Sequence, residues 1–382
     1  MEKDKRAFPI VRSIRESRIA WLIVLVVVLV NAAALRPELA ISRVDLNDNV
    51  FHFTLIERMG QALERGENPL DCWSPEWSLG YPVLRTYQPL AHLMVLGAWL
   101  ALGKSVSLMT VFVWARFLAV ALLPLSFFAA ARLLGLRPIA AASAAVLAPL
   151  VSTNFLYGVE YGSFTWAGSG LFPQSVAVHL LLLSIGLGYR AVRQGKHLTM
   201  AGAVLGLTFL AHFIYGYIGA LSLCLLAAMP DAVPARAVRV RRTLWLGAAA
   251  GALAAFQLAP LLLDSTVNHS RWEFAWKWDS FGFGQVLQWL LTGELLDHGR
   301  LPVLTLLAFG GAGWFFWLSY RRRESDPAHG FVLLAAGVWI AIFCGRPLWG
   351  PLLEVLGISK DVQLHRVIGG AQIFLILLAA VG

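Results

Sequence analysis

Acidic residues are scarce in this chain: 22 Asp and Glu stand against 31 Lys and Arg in 382 residues. Charge of either sign is thin, at 14%, while apolar residues make up 58%. The net charge of +9 does not point to nucleic acid, because the basic residues form no single face and fall in short clusters between apolar runs. The three cysteines cannot make a disulfide framework or a thiolate metal site: Cys72 is alone in a polar stretch, and Cys224 and Cys344 lie within apolar runs. No Gly-rich phosphate loop is present and the basic connections leave no room for a nucleotide-binding domain, which argues against ATP-driven transport. No small-residue cleavage site follows the first apolar run, so that run reads as a retained helix.

What the chain does contain is membrane sequence. Several apolar runs approach the roughly 20 residues that cross a bilayer. The first, 19–34, follows the basic leader Lys3, Lys5, Arg6, Arg12, Arg15 and Arg18, which places the N-terminus in the cytoplasm. Further runs cover 108–131, 138–157, 174–192, 198–212, 215–229, 243–263, 301–319, 331–345 and 367–382, with a shorter one at 89–102. If 89–102 crosses the membrane, Arg132, Arg137, Arg190, Arg193 and Lys196 fall outside. If it lies on the outer surface, those residues move to the cytoplasm with Arg236, Arg239, Arg241 and Arg242, and with Arg321, Arg322 and Arg323. The second arrangement satisfies every cluster. It requires 198–229 to be a hairpin of two short helices that breaks near His212 to Gly216, and a span broken beside a buried His is suited to lining a polar cavity.

The expected fold is an all-α polytopic membrane protein. A cytoplasmic leader, 1–18, precedes a transmembrane domain, 19–382, of about ten spans, with outer loops at 37–107, 157–172 and 264–300. The chain stops at Val381-Gly382 still inside an apolar run, without a polar flank. A longer protein is the expectation.

The polar residues gather in the outer loops. Asp45, Asp48 and His52 fall within nine residues just past the first helix, in Val44-Asp45-Leu46-Asn47-Asp48-Asn49-Val50-Phe51-His52. On a helix, His52 returns to the side of Asp48, where it can orient the carboxylate or ligate a metal with it. The alternative is that Asp48 caps a helix over 50–65. In the third loop, Arg271, Trp272 and Lys277 alternate cationic and aromatic surface that suits phosphate and sugar rings, although Trp is also the ordinary interface residue. Glu160 is a second carboxylate or metal ligand on the same face, and Arg366 enters the last run beside His365.

The first loop also has a motif order: the acidic residue, a helix, Gly66-Glu67-Asn68-Pro69, the Trp-rich 73–77, Gly80-Tyr81-Pro82, then Tyr87-Gln88-Pro89-Leu90. This order resembles the GT-C superfamily of polyprenyl-phosphate-dependent glycosyltransferases. The closest look is to the bacterial membrane family called 6-pyruvoyl-tetrahydropterin synthase-related, a name that implies no pterin chemistry. The resemblance implies a GT-C-like helical bundle whose first outer loop carries surface helices and an essential acid. Asp48 is the match, with Asp45 its rival. Aminoarabinose transferases of the superfamily show Asp-Glu-x-x-Tyr there, from which Asn49 and His52 depart. They place a Lys near the position of Arg85 and a Thr-Lys-Gly step near His212, so these two become lipid-phosphate candidates, with Arg271 and Arg366. Tyr87, Glu160 and Trp272 are further substrate-binding candidates.

The implied function is a glycosyltransferase of the bacterial cytoplasmic membrane, active on the extracytoplasmic side. The partners are a polyprenyl-phosphate-linked sugar donor, a glycan, lipid or protein acceptor, and membrane lipids, with no nucleic acid. Some GT-C branches use a divalent metal, Mg or Mn, for which Asp48, His52 and Glu160 are the candidate ligands. Two alternatives stand beside it: a lipid-linked glycan flippase, against which the absence of an internal repeat argues, and an inactive GT-C-like scaffold subunit, which Asn49 in place of a second acid favours.

Overall fold

The structure is a computed structural model and describes residues 7–43, 47–75, 80–230, 233–263, 274–321 and 326–382. The described residues fold as helices joined by loops. The chain begins with α1 (Ala7–Ala34). A long first loop then holds α2 (Asp48–Glu64), α3 (Val83–Thr86) and α4 (Leu90–Ala101). The bundle proper follows: α5 (Leu108–Ala121), α6 (Leu123–Leu134) and α7 (Pro138–Leu147), the one-turn α8 (Tyr161–Phe164), then α9 (Phe172–Gln194), α10 (Leu198–Ala211), α11 (Phe213–Ala228) and α12 (Arg236–Leu263). The last third contains α13 (Ala275–Asp279), α14 (Gly282–Thr292), α15 (Val303–Arg321), α16 (Pro327–Phe343), the short α17 (Arg346–Trp349) and α18 (Leu352–Val355), and α19 (Ile368–Ala379).

Among the described residues three helices are each long and apolar enough to cross a membrane by length and composition: 15–34 of α1, α9 and α12. This is a multi-pass membrane protein. The outward faces of α1 and α12 expose Trp21, Leu22, Leu25, Leu29, Leu244, Trp245 and Phe256, large apolar side chains that water would not tolerate in such density. By contrast α9 is the central post, buried along most of its length against α6, α10 and α11. Most of the remaining apolar helices are shorter, and α4, with 12 residues, is about 18 Å long, short of the ~30 Å hydrocarbon thickness.

Three of the expected runs fold differently in detail. The run 108–131 is two helices, α5 and α6, bent by 44° around Leu122. Pro124 has no N–H for the Val120 carbonyl one turn back, and the Asn31 amide of α1 supplies the missing donor, at 3.1 Å to Val120 O and 3.0 Å to Ala121 O. The Ala-rich run 138–157 leaves the helix at Leu147, tightens through a 3-10 turn over Ala148–Leu150 and becomes extended. The stretch 198–229 turns back at His212: Gly219 lies against Leu205 and Gly216 against Phe209, pairs that flank that residue on either side. Both glycines admit a neighbour where a Cβ would crowd it, at 3.0 Å and 2.4 Å.

Candidate functional site

The N-terminus of α2 is stitched to the second loop. Asn47, in extended conformation, is the helix cap: its side chain accepts from the Asn49 N–H at 3.0 Å, and its amide donates to Trp166 O at 2.7 Å and Gly168 O at 3.1 Å. The Asp48 N–H donates to Ser169 O at 3.3 Å. Gly170 has φ +71°, and a Cβ there would sit 2.5 Å from the Asn49 amide. The capping role that the sequence offers Asp48 therefore belongs to Asn47, and the helix starts at Asp48 rather than at 50. The Asp48 side chain is exposed at the first helical position, where the dipole favours a carboxylate.

One turn on, His52 is buried, and its Nδ1 lies 3.1 Å from Nε2 of His92 on α4. Tyr87 and Phe172 complete a ring cluster around the two imidazoles. The His92 Nδ1 faces the Gln88 carbonyl of the preceding turn without reaching hydrogen-bond geometry. With its proton on that nitrogen, His92 accepts at Nε2, His52 donates from Nδ1, and the lone pair of His52 remains at Nε2. Burial keeps both rings neutral. It pushes His92 down to about 4, and it holds His52 well below the ordinary range, with the charges of His92, Arg366, Arg116 and His212 adding to the effect. Burial also raises the Tyr87 phenol; Arg366 opposes that shift and Asp48 reinforces it. Side chains from α2, α3–α4, the α10–α11 turn and the approach to α19 thus feel one another's fields.

Arg366 sits on a 3-10 turn, Leu364–Val367, that feeds α19. It donates to Gln363 at 2.9 Å and to the Gln174 Oε1 at 3.1 Å, and lies 5.6 Å over the Tyr157 ring. Gln174 in turn donates to the Tyr157 and Gly158 carbonyls at 2.7 and 2.8 Å. Glu160 is buried and committed to its own loop: it accepts from the Gly158 N–H at 3.1 Å, from the Ser163 hydroxyl at 2.7 Å and from Gln372 at 3.5 Å. The His212 Nδ1 accepts from the Tyr215 N–H at 3.4 Å, capping α11. Arg85 lies apart on α3, half exposed, 4.0 Å from Asp71.

The charges of Asp48 and Arg366 act on the Tyr87 phenol and those of Arg366 and His212 on His52, while Glu160 braces its own loop. Asp45, Arg271 and Trp272 lie outside the described residues. Among the described residues no three His, Cys, Asp or Glu side chains stand close enough to ligate one ion.

Sequence reasoning passed over His92, Gln174 and Gln372, and also the buried pair of Arg116 with Glu38 at 2.8 Å. The Glu38 carboxylate accepts the Trp166 N–H as well, which fixes the second loop over α5. A charge inside an apolar run was the available signal for Arg116, and a lone imidazole in the apolar 90–101 was the signal for His92.

In fold, the chain resembles an oligosaccharyltransferase. The apo crystal structure of the Archaeoglobus fulgidus enzyme superposes with a TM-score of 0.58 at 15% identity, over 95% of this chain and 50% of that one. The same enzyme tethered to an acceptor peptide containing the NVT sequon gives 0.55 at 15% identity, over 94% and 49%. Its complex with Zn and sulfate gives 0.55 at 18% identity, over 94% and 48%. The chain spans about half the length of these oligosaccharyltransferase chains, and the likeness is one of fold. No protein-family profile and no curated protein sequence matches.

Proposed function

We propose that this protein is an integral membrane glycosyltransferase that moves a sugar from a polyprenyl-phosphate donor to an acceptor on the extracytoplasmic side of a bacterial cytoplasmic membrane. The observation that carries the reading is an exposed carboxylate at Asp48, on the first turn of α2, and a cation at Arg366, both of which act on the buried Tyr87 phenol. Glycosyl transfer from a lipid phosphate needs those two charges. As the acceptor oxygen attacks the anomeric carbon, Asp48 takes its proton. The bond from that carbon to the phosphate oxygen breaks, and the electron pair leaves with the polyprenyl phosphate, whose charge Arg366 neutralises. Direct displacement inverts the anomeric centre.

The environment favours the same assignment. An apolar groove of about 180 Å³, lined by Phe213, Ile214, Tyr217, Leu258, Ile358 and Val367, begins one residue from both His212 and Arg366 and suits a prenyl chain attached to the bound phosphate. His52 stands ready on the turn above Asp48 to orient the acceptor or its proton. Purified protein in nanodiscs, given a radiolabelled polyprenyl-phosphate sugar and membrane extract as acceptor, is expected to release free polyprenyl phosphate and label the acceptor. Movement of intact labelled lipid between leaflets without cleavage would instead identify a flippase.

A further inference from the structure

A second pocket, of about 350 Å³, is lined by Tyr157 together with Trp276, Phe281 and Trp289. Asn154 and Glu294 supply its polar edge. This volume falls in the range of small-molecule sites.

The walls are held rigidly. The segment 152–159 is pinned at one end by Ser152, whose N–H donates to Leu296 O at 2.9 Å and whose carbonyl accepts from the His298 N–H at 3.0 Å. At the other end the Val159 N–H donates to Gln372 at 2.7 Å. Between these pins Phe155 and Tyr157 both adopt positive φ, +51° and +62°, a conformation that bulky residues rarely take and that persists where surrounding structure imposes it. The opposite wall is fixed too: the Gly282 N–H donates to Cys344 O at 2.9 Å, and Trp276 stacks on Phe281 at 5.4 Å with planes 23° apart.

The chemistry is selective. Aromatic faces bind the C–H faces of a pyranose, while a carboxylate and an amide accept and donate hydrogen bonds to its hydroxyls. Glu294, whose partner is His298, opposes a phosphate or other anion at this position. The neighbouring cations are engaged with its aromatic walls: Lys277 lies 5.2 Å over the Tyr157 ring and 5.9 Å over the Trp276 ring, and Arg366 lies 5.6 Å over the Tyr157 ring. We propose that this pocket holds a neutral sugar ring of a glycan acceptor, with Trp276 and Trp289 as stacking platforms and Glu294 as the hydroxyl acceptor. It rests on the glycosyltransferase reading for the word acceptor; sugar binding itself does not.

Saturation-transfer NMR on the full chain in detergent, with methyl glucoside, methyl mannoside and diacetylchitobiose as probes and glucose 1-phosphate as the anionic control, tests it. The ring protons of at least one neutral sugar are expected to saturate, and those of the control are not. Trp276→Ala and Glu294→Gln should each weaken binding by roughly tenfold, and Trp276→Phe should retain it, with folding judged by monodisperse elution. Asp48→Asn should bind as the parent does, so that loss of transfer and loss of sugar binding are read separately. No saturation from any neutral sugar, or unchanged binding in folded Glu294→Gln and Trp276→Ala, would overturn the proposal.

Discussion

Nδ1 of His52 and Nε2 of His92 face each other at 3.1 Å in a buried ring cluster formed by two helices of the first loop. Two buried imidazoles in contact cannot both be charged, and burial drives both toward the neutral form. His92 then fixes the tautomer of His52. Replacing His92 with Ala should lower transfer by about a hundredfold through misplacement, while His92→Gln, whose amide oxygen can accept the same proton, should recover much of it. Turnover measured across pH 5 to 9 separates these variants from a simple loss of fold.

The same pair sets an acid limit on stability. The folded pKa of His92, about 4, lies below the ordinary 6.5, so between those values the unfolded chain binds more protons than the native one. Stability contributed by the neutral ring is full above about 6.5 and is lost as pH falls toward 4. Thermal midpoints of the parent should drop over that interval, and those of His92→Gln should drop less.

Gly170 supports Asp48 from outside the helix. A methyl group there would meet the Asn49 amide at 2.5 Å in a backbone conformation of φ +71°, which displaces the cap made by Asn47. Gly170→Ala is expected to destabilise the protein by ~1–3 kcal/mol and to reduce activity more than Asn47→Ala, which costs the cap alone, ~1 kcal/mol. Differential scanning fluorimetry with parallel transfer assays checks the order.

Asn31 tests the bundle independently of the site. Its amide satisfies two carbonyls freed by the bend at Leu122, in surroundings where water cannot replace it. Asn31→Leu should lower the thermal midpoint, at a cost of ~1–3 kcal/mol, with donor affinity unchanged in the surviving fold.

Much of this was legible in the sequence, for physical reasons. Apolar runs mark helices because every backbone group in a bilayer must be satisfied internally, and the turn at His212 follows from a polar ring next to small residues. The bends were harder to read: Pro124 announces a break, but the donor that tolerates it, Asn31, is far away in the chain. Arg366 and Asp48 each had local signals, whereas their joint field at Tyr87 depends on contacts between segments hundreds of residues apart. Glu160 reads in the sequence as a second carboxylate or a metal ligand, because sequence shows the carboxylate and hides the three donors that engage it.

Asp48 carries the central claim, and Asp48→Asn is nearly isosteric and leaves the Asn47 cap intact. Single-turnover transfer from a radiolabelled polyprenyl-phosphate sugar, measured on the parent and on the folded variant at equal donor occupancy, addresses it directly. The account predicts a fall of at least about 10²–10⁴-fold in the variant with donor binding preserved; transfer at the parental rate would contradict it.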